Sequence, residues 1–340
     1  MSTTDTQLDP FAGLVQAWLV WLEHNRGVSV ATSDKYRRYL HMLGEFATAT
    51  GTDAARLSTE QIERFTGLWL YQRGMGPSAR KPVVAALRGF FAWLQRGHHR
   101  PDDPARAVPY PNAGRALPVP MSLATAERLM MAPDMTTFIG VRDAAILGLL
   151  IGCGLRVSGA VNLDEEDLLF AEEKGRQRLI VRVTEKGAKQ RLVPTPHEAR
   201  LLVLAYLGHP ALAGYSRLLR SGRHVLFVNA QNRAVTEADY FGEAVRLSAR
   251  SIGRMIVRYG EPLGLPRDQL RPHAARHLVG TEMAEDDQSP LIVQALLGHE
   301  TLRTTEIYTH LARRKLIQAI DRSSPLSKIR SPVKGLAGKI

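Results

Sequence analysis

The apolar positions of the first hundred residues recur at helical intervals. Leu14, Trp18, Trp21 and Leu22 stand at i, i+4, i+7 and i+8, which is the stripe of an amphipathic helix. Similar patterns predict helices near residues 32–49, 59–72 and 78–96, with Gly74, Gly76 and Pro77 separating the last two. All four tryptophans, Trp18, Trp21, Trp69 and Trp93, fall in this stretch and are expected in its core. Residues 1–105 therefore predict a small helical bundle.

The periodicity then stops. Residues 101–120 hold six prolines and no regular apolar spacing. Proline removes a backbone donor and favours extended chain, so 106–120 are expected to be a linker. Beyond it the patterns predict helices at 122–132, 139–152, 197–207, 236–259, 273–285, 290–297 and 302–321. Between the second and third of these, Leu179, Val181 and Val183 alternate with polar residues, and Leu192 and Val193 follow a turn containing Gly187. That alternation predicts a β-hairpin. The expected fold is mainly α with a small β-sheet: a helical first domain, a mixed α/β second domain over 121–322, and a basic tail, 323–340, expected to be mobile.

Length agrees with two domains, since 340 residues exceed one compact domain of usual size. Charge narrows the partner. Forty-five Lys and Arg against 33 Asp and Glu leave +12, an excess that attracts polyanions, above all nucleic acid. Cys153 is the only cysteine, which excludes an intrachain disulfide, and its place in AAILGLLIGCGL makes it a core thiol. That stretch is too short to span a bilayer, and the polar, acidic start MSTTDTQLDP lacks a basic-then-apolar signal pattern. A soluble, cytoplasmic protein is expected.

Five strings in the second domain carry chemistry: GCGLRVSGA with Arg156, TEKGAKQR with Lys186, RPHAARH with His273 and Arg276, LLGHE with His299, and TLRTTEIYTHL with Tyr308. Two guanidiniums present planar forks of donors that suit the charge developing on an attacked phosphate. Tyrosine has a pKa of about 10, so forming phenolate at pH 7 costs about 4 kcal/mol, which adjacent cations reduce. His273 and Arg276 stand at i, i+3 on one helical face. His273 and His277 have the i, i+4 spacing of a zinc pair, but the string lacks a zincin glutamate and a third ligand, and no metal is expected.

In this order the motifs resemble the catalytic signature of the tyrosine recombinases, or phage-type integrases, over roughly residues 120–320. The resemblance implies a core-binding domain in the helical bundle and a catalytic domain after it. It makes Tyr308 the nucleophile, and Arg156, Arg276 and His299 donors to the phosphate. His273 would take the tyrosine proton and Lys186 would protonate the leaving hydroxyl. It further implies a 3′-phosphotyrosyl link, rejoining without a nucleotide cofactor, and a homotetramer that exchanges strands on double-stranded DNA through a Holliday junction. Related chemistry, that of type IB topoisomerases or telomere resolvases, stays open, as does a catalytically silent DNA-binding protein of the same fold.

One position departs from the family. Three residues after Arg156, where the family usually has Glu or Asp, stands Gly159. Asp164 or backbone carbonyls are the candidates to hold the arginine instead. Two features concern binding. Arg246, Arg250, Arg254 and Arg258 recur every four residues, opposite Ile252, Met255, Ile256 and Tyr259, a candidate phosphate-facing stripe to which Lys189 of the hairpin adds. In LARRKLIQAI, the apolar face of Leu311, Leu316, Ile317 and Ile320 is expected to dock on a neighbouring subunit.

Overall fold

A computed structural model describes residues 10–114, 119–173, 175–184, 189–229, 242–298 and 317–332. The chain divides into two compact units, Met1–Ala116 and Leu117–Ile340. No described helix is long and apolar enough to cross a membrane.

The first unit is built from α1 (Pro10–Arg26), α2 (Val30–Ala49), α3 (Thr59–Arg64), α4 (Leu70–Gln72) and α5 (Pro77–Arg96). The apolar stripe of α1 buries Phe11, Val15, Trp18 and Leu19 against Leu40, Leu43 and Phe46 of α2 and Leu87, Phe90 and Phe91 of α5. Burying each such side chain contributes about 1.5–3 kcal/mol. Trp18 is fully buried and stacks on Tyr36, while the other three tryptophans pack at the edge of this core. The helix expected over 59–72 is interrupted by a π turn, Phe65–Trp69. The Arg80 guanidinium donates to the Thr66 and Gly67 carbonyls there, at 3.2 and 3.1 Å. The start of the proline-rich segment is core: Ala105 and Val108 are buried in the bundle, and Arg88 donates to the Val108 carbonyl at 2.6 Å.

The second unit packs α6 (Leu123–Met130), α9 (His197–Leu207) and α11 (Pro272–Glu285) around α7 (Phe138–Cys153). From Gly140 to Cys153 every residue of α7 is buried, as its nearly unbroken apolar run demands. Its two charged residues pair. Arg142 donates to one oxygen of Asp143, while Arg258 and the Tyr259 hydroxyl donate to the other, both at 2.9 Å. The short α8 (Val157–Val161) leads to an antiparallel sheet of order β1-β2-β3, comprising Leu168–Glu173, Arg176–Thr184 and Gln190–Pro194. The predicted hairpin is β2–β3, with Val183 opposite Arg191. Strand β1 is an addition. Its string LLFAEE does not alternate, and only pairing with β2 across a turn at Gly175 (φ 72°) makes it a strand.

Three expectations need correction. Of the helix expected over 236–259, residues 236–241 lie outside the described residues; over the rest, a short 3-10 turn, Gly242–Val245, precedes α10 (Ala249–Gly260), which Ser248 caps by accepting from the Ser251 amide. The tail is anchored where it is described. Ser324 donates to the Gly152 carbonyl at 3.0 Å, Leu326 fills the notch left by Gly152, and Lys328 pairs with Glu282 at 2.7 Å and Asp286 at 3.0 Å. Finally, Ile317 and Ile320, expected on a neighbouring subunit, are buried in their own chain beside the Asp321–Arg178 ion pair; Leu311 and Leu316 lie outside the described residues.

Candidate active site

The site is organised by two helix ends. Helix α7 stops at Gly154, whose left-handed conformation (φ 62°) turns the chain so that Arg156 stands at the residue preceding α8. A side chain at Gly154 would also put its Cβ 2.8 Å from Leu297. Helix α12 (Pro290–Leu297) stops in the same way at Gly298 (φ 64°). Each helix end leaves carbonyls without partners inside the helix and carries the negative end of the helix dipole.

Arginines take those carbonyls. Arg276, on α11 and only 5% exposed, donates to the Gly154 carbonyl at 2.7 Å and to that of Leu297. The half-buried Arg156 donates to the Gly298 carbonyl at 2.7 Å. Two of the expected phosphate-binding residues thus grip successive carbonyls of one helix end. His273 sits one turn before Arg276 and is exposed. Its ring pKa is held below the ordinary imidazole value by partial desolvation first, then by the positive charges of Arg276, His277 and Arg156. A neutral imidazole beside two guanidiniums is a proton acceptor at neutral pH. Lys186, His299 and Tyr308 lie outside the described residues.

Backbone carbonyls, not Asp164, stand at the arginines. Asp164 belongs to a separate ionic cluster, accepting from Arg246 at 2.7 Å and pairing with Arg223 at 3.2 Å. Arg182 and Arg223 meet Asp167 there, and His224 meets Glu166. Gly159 is buried, and a Cβ on it would lie 2.9 Å from Val183 Cγ1, so β2 fills the space a side chain would need.

The basic stripe divides. Arg250 and Arg254 project from α10 into solvent, and Arg258 is exposed while contributing to the Asp143 pairing. Arg246 precedes the helix. Only 11% exposed, it is committed to Asp164, Glu243 and the carbonyls of Val161 and Leu163. The phosphate contact expected of Arg246 thus falls on a guanidinium engaged inside the protein. Lys189 is exposed at the foot of β3. Sequence reasoning missed Arg191, which donates to the Leu296 carbonyl. The period-2 rule held the signal, because Arg191 shares a strand face with the buried Val193.

Comparison with known proteins follows the same division of the chain. The "Phage integrase family" profile matches residues 121–315, and the "Phage integrase, N-terminal SAM-like domain" profile matches 15–98. The "Tyrosine recombinase XerD" of Vibrio cholerae is 30% identical over 318 residues, covering 94% of this chain and 98% of the relative. That of Xanthomonas axonopodis is 31% identical over 309 residues, covering 90% and 95%. Among solved structures, the XerH site-specific recombinase bound to palindromic difH substrate superposes with a TM-score of 0.62 at 19% identity, covering 94% of this chain and 90% of that one. With a family profile over most of the second unit and relatives at this identity along nearly the whole length, the chain belongs to the phage integrase family of tyrosine recombinases.

Proposed function

We propose that this chain is a site-specific recombinase that breaks and rejoins duplex DNA through a 3′-phosphotyrosyl intermediate, with four subunits holding two sites and exchanging strands through a Holliday junction. One observation carries the proposal: Arg156 and Arg276 converge on one helix end, with an imidazole of lowered pKa beside them, in a chain of this family.

The chemistry follows from the residue types. The Tyr308 oxygen attacks the scissile phosphorus, and His273 accepts its proton. Arg156, Arg276 and His299 donate to the nonbridging oxygens as charge builds there. The bond from phosphorus to the 5′ oxygen breaks, and Lys186 supplies the proton that leaves a 5′-hydroxyl. The phosphotyrosyl ester retains the energy of the broken bond, so attack by another 5′-hydroxyl reverses the steps without an external energy source. Both units bind the duplex, with Arg250, Arg254 and Lys189 facing phosphates.

The test begins with a pool of nicked random-sequence duplexes, from which the wild-type chain recovers its site as a covalent adduct. Tyr308→Phe is expected to bind the recovered duplex and trap none of it. Plasmids with two copies of that site should then yield recombined products, with a tetramer and a four-way junction isolable on the way. Adduct formation by Tyr308→Phe refutes the nucleophile. Relaxation of one-site plasmids without exchange between two sites refutes recombination in favour of topoisomerase-like action. Binding without any adduct refutes the enzyme.

A further inference from the structure

We propose that Arg191, which the family signature above does not include, is a positioning residue for strand cleavage: from the sheet side it fixes the end of α12 whose carbonyls hold Arg156 and Arg276. The proposal rests on the recombinase assignment above.

Three guanidiniums arrive at that end from three different elements. Arg191 of β3 takes the Leu296 carbonyl, Arg276 of α11 takes Leu297, and Arg156 at the start of α8 takes Gly298. Three successive carbonyls of one helix terminus are thus held by three cations, an arrangement that the partial negative charge of a helix C-terminus favours. His299 follows Gly298 directly in the chain. A shift of this terminus therefore moves the anchors of both phosphate-binding arginines, together with the attachment point of a third donor.

Arg191 is the member of the set that ties the terminus to the hairpin. It stands opposite Val183 in the β2–β3 register, on the strand pair between which Lys186 falls in the sequence. Val183 is also the residue that a side chain at Gly159 would strike. Where the family usually carries a carboxylate, this chain packs the sheet against α8, and Arg191 extends from that sheet to α12. Its charge also reaches the end of α7: burial pushes the Cys153 thiol up, and Arg191 opposes that rise. A misplacement near 1 Å of reacting groups costs about 100-fold in rate, so this anchor bears on catalysis without touching DNA.

The experiment uses the full chain and a nicked duplex carrying the site recovered by covalent capture, made with an ordinary scissile phosphate and again with sulfur replacing the bridging 5′ oxygen. Arg191→Met is expected to slow single-turnover adduct formation by about 100-fold, with duplex affinity unchanged within about twofold, which is about a third of a decade against the two decades lost in rate. Arg191→Lys should recover part of the rate, since it keeps the charge but not the planar fork. The sulfur substrate needs no proton on its leaving group. It should restore cleavage to Lys186→Ala and not to Arg191→Met, because Arg191 acts through the phosphate-binding pair. If Arg191→Met does not fold, Arg191→Lys decides, with slower cleavage at unchanged affinity. A wild-type rate in the variants, a loss of rate matched by an equal loss of affinity, or rescue by sulfur overturns the assignment. If the wild-type chain traps no duplex, the recombinase assignment itself falls; if it does and the variants match it, only Arg191 does.

Discussion

The Arg276 guanidinium donates to the carbonyl of Gly154, 2.7 Å away and two residues before Arg156. The same glycine turns α7 out of its helix at φ 62° and lets Leu297 approach to a distance that no Cβ would allow. One backbone position thus aims the first arginine and anchors the second.

Gly154→Ala therefore faces two penalties. The left-handed conformation costs a non-glycine residue roughly 1–2 kcal/mol, and overpacking against Leu297 and Val279 adds about 1–3 kcal/mol. Chemical denaturation of the full chain should show a loss of at least about 2 kcal/mol, within those ranges. A loss near zero would mean that the α7 end does not depend on this turn.

His273 is predicted to titrate below the ordinary histidine value in the DNA-free protein, as read from its ring proton in an NMR titration. Folding holds this ring neutral where the unfolded chain would be protonated. The unfolded state therefore binds more protons between the lowered pKa and about 6.5, and stability falls as pH drops through that window. Arg276→Gln should raise the midpoint by removing the largest of the charge contributions that lower it. Binding of a DNA phosphate should raise it too, by opposing the same charge. A midpoint at or above the ordinary value contradicts the arrangement.

Gly159→Glu restores the carboxylate that the family usually carries, but its Cβ must displace Val183. The single change is expected to destabilise the chain by about 1–3 kcal/mol. Val183→Ala removes the colliding atom, so the double variant should be more stable than the sum of the two single effects. A double-mutant cycle with no coupling would show that β2 does not occupy that space.

Asp143 is fully buried and accepts from Arg142, Arg258 and Tyr259. Asp143→Asn leaves Arg142 buried without its counter-charge, an error of the kind that costs about 3–5 kcal/mol. It should also lower the Tyr259 pKa from its raised value of about 12. Burial is the first cause of that rise and the Asp143 charge the second, so the return is partial. Ultraviolet titration of phenolate formation, combined with thermal melting, checks both effects.

Local features were legible in the order of residues alone. Apolar spacing placed helices close to where α2, α5, α7, α9, α11 and α12 stand, and strand alternation placed β2 and β3, because both periodicities follow from backbone geometry within a few residues. Motif order singled out Arg156, His273 and Arg276 as candidates for the same reason: each lies in a recognisable local string. Tertiary structure decided what those residues are held by. The contacts from Arg156 to Gly298, from Arg191 to Leu296 and from Arg276 to Gly154 each join residues more than a hundred positions apart. It also separated Arg246, drawn inward by Asp164, from Arg250 and Arg254, though all three share one four-residue spacing. It turned the described start of a tail expected to be mobile, 323–332, into a clasp on Gly152. A periodic pattern reports which face of an element is apolar. Which carbonyl or carboxylate a guanidinium meets depends on how distant elements pack, and no local pattern carries that information.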